Sequence, residues 1–178
     1  MATWNSRGLR GSTLEDLINR TNEKYAEYGL ALIQKVPTPI TPVQIDKESR
    51  HITLAYFEQK STVDYIGAVQ GLPVCFEAKE SASDTYALSN IHEHQVNFMD
   101  LFEKQGGIAF FLLFYSGRDL IYYLPYLKLR FFWERMASGG RKSFRFEELN
   151  PDYVLPKKQG ILVPYLDMIQ RDLGERER

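Results

Sequence analysis

Two acids and a lysine stand close together in one short stretch, Ser61 to Glu80, which reads S-T-V-D-Y-I-G-A-V-Q-G-L-P-V-C-F-E-A-K-E. Two apolar runs flank Gln70-Gly71 and predict a β-hairpin with a tight turn. With those two residues at the turn, Val69 faces Leu72 and, counting outward, Asp64 faces Glu77. Strand side chains alternate between faces, so Glu77 and Lys79 point the same way. Two carboxylates and one ammonium then meet on one side of two neighbouring strands. A slightly longer turn sets Asp64 opposite Lys79 and keeps the group together.

That trio is what metal-assisted phosphodiester cleavage requires. Carboxylate oxygens hold Mg²⁺, which keeps several of its waters. The metal activates a water and stabilises the charge of an in-line transition state. A lysine adds positive charge near the attacking water or the phosphate. The structural alternative is a cross-strand salt bridge with no chemistry, since an acid followed at a distance by E-x-K is a common pattern.

The whole chain bounds these readings. At 178 residues, 44% hydrophobic and 25% charged, it predicts one globular domain able to bury a core. A formal net charge of -1 gives no global basic signature, so any nucleic-acid binding has to come from local patches. The single Cys75 lies in an apolar run and reads as a small buried hydrophobe, which suits a reducing cytoplasm. The first residues lack an apolar signal core, and no run approaches the ~18 apolar residues of a membrane span.

The elements that must position the trio follow from pattern. Residues 1–11 read as a polar, mobile arm carrying Arg7 and Arg10. Ser12 opens a capping box with Glu15, and Leu14, Leu17, Ile18, Thr21 and Tyr25 fall at helical spacing up to a stop at Gly29. Glu15 reads as a cap, or as a group leaning over the site. Leu30 to Val36 predicts a strand. Three prolines in the next stretch forbid a central strand and a helix. His51 to Phe57 alternates like a returning strand. Residues 37–60 therefore predict either a two-armed projection bearing Lys47, Arg50, His51 and Lys60, or an ordinary proline-rich loop.

Beyond the hairpin, Asn90 predicts the cap of a helix from Ile91 to about Gln105. His92 and His94 lie two apart, a poor metal pair on a helix. Ile108 to Tyr115 reads as a strand buried on both faces, Leu120 to Leu124 as another, and Pro125 as the opening of a helix through Met136. Phe131, Phe132 and Trp133 read as core or dimer surface. Ser138 to Arg145 predicts a flexible basic stretch whose Arg141, Lys142 and Arg145 hold phosphates, or a plain solvated loop. Residues 146–164 read as irregular, Tyr165 to Leu173 as a short helix, and the final G-E-R-E-R as frayed. The order predicts an α/β domain with a mixed sheet covered on both faces.

Seven blocks in order resemble the RecU-type Holliday junction resolvases of the restriction-endonuclease-like nuclease superfamily. They are R-G-x-x-L-E with T-N-x-x-Y (Arg10 to Tyr25), K-x-P-T-P (Lys35 to Pro39), S-T-x-D-Y-x-G (Ser61 to Gly67), F-E-A-K-E (Phe76 to Glu80), H-x-H-Q (His92 to Gln95), F-x-W-x-R (Phe131 to Arg135) and G-R-K-S (Gly140 to Ser143). The resemblance spans roughly residues 7–170. It implies a restriction-endonuclease-like mixed β-sheet flanked by helices, with residues 37–60 as a protruding stalk that enters a four-way junction.

It further implies catalytic roles for Asp64, Glu77 and Lys79, and a Mg²⁺ shell (Mn²⁺ substituting) of Thr62, Asp64, Glu77 and Gln95. DNA contacts are expected from Arg7, Arg10, Lys47, Arg50, Arg141, Lys142 and Arg145. The expected partners are junction DNA, a second copy of the chain and a RecA-type recombinase, and a homodimer also follows from the two-fold symmetry of the junction. The alternatives are a same-fold nuclease acting on other branched or duplex DNA, and a non-catalytic junction-binding recombination factor.

Overall fold

The computed structural model describes residues 14–57 and 62–177. In chain order the elements are α1 (Leu14–Glu27), β1 (Ala31–Lys35), β2 (Ile40–Asp46), β3 (His51–Phe57), β4 (Tyr65–Val69), β5 (Leu72–Ser81) and β6 (Thr85–Ala87). These are followed by α2 (Glu93–Lys104), β7 (Ile108–Tyr115), β8 (Leu120–Pro125), α3 (Tyr126–Ala137), β9 (Ser143–Arg145) and α4 (Leu166–Arg176). The main sheet runs β1-β4-β5-β7-β8. Only β5 and β7 pair in parallel, so the sheet is mixed, as expected.

The hairpin takes the expected register, with Val69 opposite Leu72 and Tyr65 opposite Phe76. Gln70 and Gly71 both have positive φ, 50° and 87°. That is the two-residue turn whose twist matches the flanking strands. Gly67 in β4 allows a close approach to β1: a Cβ there would lie 2.1 Å from the Leu32 carbonyl oxygen. Val36 N–H donates to the Asp64 carbonyl at 2.8 Å, extending the β1–β4 pairing to the start of the site.

Alternation along β5 and β7 builds two cores. On one face Tyr65, Phe76, Phe110 and Tyr123 stack in succession, with ring centroids 4.7, 4.7 and 4.3 Å apart. Tyr165, just before α4, packs on Phe76 and meets Tyr25 of α1 edge-on. Buried polar groups lock α1 to that segment: Val163 N–H donates to Thr21 Oγ1 at 3.0 Å, and the Tyr165 hydroxyl donates to Asn22 at 2.5 Å. The opposite face carries α2, α3 and the small β6–β9 pair, where Phe132, Phe144 and Tyr86 stack. Burial of these aromatic rings supplies the largest apolar areas in the core. No helix among the described residues is long and apolar enough to cross a membrane.

The proline-rich segment forms a ribbon of its own. Among the described residues β2 and β3 pair only with each other, with register shifts between Pro42 and Ile45. The prolines do exclude β2 from the main sheet, but not from an isolated two-stranded ribbon, where a bulge absorbs the missing donor. Asp46 holds the tip by accepting Glu48 N–H at 2.9 Å and the Ser49 hydroxyl at 2.6 Å. Lys47 and Arg50 are exposed there, and Arg50 takes φ 58°.

Three expectations are corrected. Asn90 closes a 3₁₀ turn rather than capping α2; Ile91 stays extended with its side chain buried, so the helix starts only after His92. The basic stretch is held rather than free. Arg135 and Arg141 share Glu148, Arg135 also donates to the Ser143 carbonyl, and residues 143–145 form β9. The C-terminal helix continues to Arg176, whose guanidinium pairs with Glu103 and Asp172. Arg7, Arg10, the Ser12 cap and Lys60 lie outside the described residues.

Candidate functional site

The site forms where β4 begins and β5 is half complete. One step beyond the Tyr65–Phe76 pair, Asp64 N–H donates to Glu77 Oε2 at 3.0 Å, and Ala78 N–H donates to Asp64 Oδ2 at 2.9 Å. Each carboxylate is thus anchored by the other strand's backbone. Lys79 Nζ lies 2.8 Å from Glu77 Oε1, with the Glu77 side chain 2% exposed and that of Lys79 23% exposed. Asp64, Glu77 and Lys79 therefore converge as the hairpin register predicts. Thr62, two residues before Asp64, is half-buried at the approach to β4.

Gln95 reaches the trio from α2. Its Nε2 donates to Glu77 Oε1 at 2.5 Å, and its Oε1 accepts the His92 N–H at 3.1 Å. The amide is a strut between the start of the helix and the carboxylate. It satisfies one of the N–H groups that a helix start leaves unpaired. His92 and His94 stack with centroids 5.3 Å apart, and no group of three or more His, Cys, Asp or Glu suited to a metal occurs among the described residues.

Burial dominates the electrostatics. It pushes the carboxyl of Asp64 above the usual range, against the Ala78 N–H and the Lys79 charge. Glu77 is pushed up by burial and then by Asp64, with Lys79 opposing. Two like charges facing each other in a partly desolvated site hold a divalent cation better than they hold each other. Two carboxylates and one hydroxyl-bearing residue are hard oxygen donors, and the Gln95 amide N–H holds Glu77 beside them. Such a set suits Mg²⁺, which takes one or two protein carboxylates and fills its octahedron with water and phosphate oxygen.

Two residues join the site through tertiary packing. Lys35, at the end of β1, pairs with Glu15 of α1, and both charges act on Asp64. Glu15 thus lies beside the site, while its expected capping partner Ser12 lies outside the described residues. The signal for Lys35 was present in K-x-P-T-P, but only the β1–β4 pairing brings it opposite Tyr65, next to Asp64. Lys47 and Arg50 sit at the ribbon tip, while Arg141, Lys142 and Arg145 follow α3. Arg141 is partly neutralised by Glu148.

Asp64 and Lys79 are half-buried and Glu77 almost fully so. A cleft of about 650 Å³ lined by Tyr122, Leu127, Phe131, Tyr153 and Arg176 contains none of the site residues.

Comparison with known proteins identifies the relatives of this chain. The family model described as Recombination protein U matches residues 9–171. The chain is 46% identical over 144 residues to the Holliday junction resolvase RecU of Bacillus pumilus (strain SAFR-032), covering 79% of this chain and 69% of that protein. It is 40% identical over 171 residues to the protein of the same name from Pediococcus pentosaceus, covering 92% and 84%. The solved structure of Hjc, a Holliday junction resolvase from Archaeoglobus fulgidus, aligns with a TM-score of 0.39 at 11% identity, over 62% of this chain and 77% of that one. The family match spans α1, the ribbon, the hairpin site, α2 and most of α4 as one continuous unit, and by that match the chain belongs to the RecU family.

Proposed function

We propose that the chain is a Mg²⁺-dependent, structure-selective endodeoxyribonuclease that resolves four-way DNA junctions as a homodimer. The observation that carries this reading is the convergence of Asp64, Glu77 and Lys79 on one face of the hairpin, with Glu77 almost fully buried. Family membership supplies the substrate class, since the relatives are named as Holliday junction resolvases.

Mg²⁺ bound at this site supplies Lewis acidity and an activated water at neutral pH. Asp64 and Glu77 provide the anionic oxygens, with Thr62 and Gln95 beside them. Gln95 fixes the rotamer of Glu77 through its amide N–H. Lys79 places a positive charge where negative charge develops on the phosphate. Water attack that breaks the P–O3′ bond leaves a 5′-phosphate and a 3′-hydroxyl, and one such cut on each of two opposed strands leaves ligatable nicks.

A junction has two-fold symmetry, so matched cuts require two copies of the site. The ribbon offers the surface for both purposes. Ile40, Val43, Ile45, Leu54, Tyr56 and Phe57 are all exposed on it. A bare two-stranded ribbon is only marginally stable in water, and a second copy or unstacked junction bases would cover these side chains. Lys47 and Arg50 at its tip, with Arg141, Lys142 and Arg145 on the body, contact phosphates, and Arg7 and Arg10 add to them.

The test compares synthetic four-way junctions with matched linear duplex, with and without Mg²⁺. Metal-dependent paired nicking of the junction is expected. No cutting of any DNA with Mg²⁺ or Mn²⁺ overturns the enzyme reading; equal cutting of duplex overturns junction selectivity. Replacing residues 40–57 with a short Gly-Ser turn should weaken junction binding while the body stays folded, and unchanged binding refutes the stalk role.

A further inference from the structure

Glu77 Oε1 accepts two strong donors at once, Gln95 Nε2 at 2.5 Å and Lys79 Nζ at 2.8 Å. A carboxylate oxygen has two in-plane lone pairs, so this oxygen is fully used. Glu77 Oε2 accepts the Asp64 N–H. The amide oxygen of Gln95, the only atom of that side chain able to ligate a cation, is committed to the His92 N–H. Turning the amide around would leave that N–H without its acceptor and set oxygen against oxygen at Glu77.

We propose that the Lys79 ammonium is the resident cation of the metal-free site, and that it and a divalent cation exclude one another at Glu77 Oε1. Gln95 is then a positioning residue that holds Glu77 from the α2 side throughout. Lys79 leaves Glu77 when a divalent cation takes its lone pair, and only then is its charge free to face a phosphate. The consequence is an ordered assembly: a junction bound without metal meets a lysine still tied to its carboxylate. Asp64 stands within electrostatic reach of Lys79, so release of the ammonium from Glu77 leaves it beside a second carboxylate rather than expelling it to bulk water. This inference rests on the metal-dependent reading above and deepens it.

Two measurements on the full chain without DNA test it. In the first, wild-type protein is acetylated with an amine-reactive ester, in EDTA or in 10 mM Mg²⁺ (about that concentration suffices to load a typical Mg²⁺ site), and labelling at each lysine is read by mass spectrometry. Lys79 should label at least about fivefold faster with Mg²⁺, as expected when a charge-assisted bond is lost, while Lys24 and Lys104 stay constant. Equal or slower labelling of Lys79 overturns the exchange.

In the second, Mg²⁺ and Mn²⁺ binding is measured by titration calorimetry for wild type, Lys79→Met and Lys79→Arg. The methionine variant should bind about tenfold more tightly, the order set by one hydrogen bond to a charged group. The arginine variant, which keeps a competing cation, should not. Equal gains in both variants, or none in either, refute direct competition. If the methionine variant does not fold, the labelling result on wild type still decides. If wild type binds neither cation, the metal-dependent function itself fails, and that outcome is distinct from measurable binding with no exchange.

Discussion

Replacing Asp64 by Asn separates a catalytic carboxylate from a structural one. Asn keeps the side-chain shape and can still accept the Ala78 N–H, which lies 2.9 Å from Asp64 Oδ2. The bond from Asp64 N–H to Glu77 is a backbone bond and survives. What changes is charge. Burial, the largest influence, raises the Asp64 carboxyl above its ordinary value, and Glu15 adds to this, while Ala78 N–H, Lys79 and Lys35 oppose it. A carboxyl whose folded pKa is raised contributes stability that is fully present below its unfolded pKa and is lost as pH rises through the folded value.

The ionised carboxylate therefore costs the metal-free fold stability at pH 7, and a neutral isostere recovers it. Relief of one such site is worth on the order of 1 kcal/mol, or about 2–4 °C in Tm for a chain of this size. Thermal unfolding followed by circular dichroism in EDTA measures it. The gain should shrink toward zero below the ordinary carboxylate range, where the wild-type group is protonated as well. Junction cutting in Mg²⁺ should fall at least about 100-fold, comparable to removing a major charge-stabilising group from an active site. A drop in Tm at pH 7 would mean that Asp64 serves a structural ion pair, and near-normal cutting would remove it from the chemistry.

Gly67→Ala should be among the most disruptive small substitutions in the sheet. The new Cβ would meet the Leu32 carbonyl oxygen at 2.1 Å and Ile33 Cα at 2.7 Å, both backbone atoms that cannot step aside. A loss of about 3 kcal/mol in urea unfolding is expected, and a loss under 1 kcal/mol refutes the close approach. Divalent binding should weaken as pH falls, beginning above the ordinary carboxylate range, because Asp64 and Glu77 both have raised pKa values in the metal-free protein; calorimetry in two buffers of different ionisation enthalpy should detect proton release. Thr21→Val removes the acceptor for the buried Val163 N–H. It should cost about 1–3 kcal/mol with little change in cutting per folded molecule, which a denaturant midpoint and a junction assay at low temperature measure together.

Local chemistry determined a large part of this protein. The Gln70-Gly71 turn sets the hairpin register, because a two-residue loop with two positive φ values leaves one pairing. Strand alternation then places Asp64, Glu77 and Lys79 on one face whatever surrounds them. The apolar run of β7 and the amphipathic spacing of α1 were legible for the same reason: their periods are properties of the backbone.

Contacts between elements decided the rest. Whether residues 37–57 were loop or ribbon depended on β2 finding β3 across a tip held by Asp46. The start of α2 depended on the burial of Ile91, which kept the backbone extended past a residue that reads as a good cap. The basic stretch after α3 was ordered by Glu148, an acid that composition alone does not pair with Arg135 and Arg141. Lys35 joined the site only because β1 lies antiparallel to β4, which sets its end beside Asp64. Sequence patterns carry backbone periodicity and turn chemistry, whereas burial and charge pairing exist only after distant segments meet, and those two forces select the partners of each ionisable group in this site.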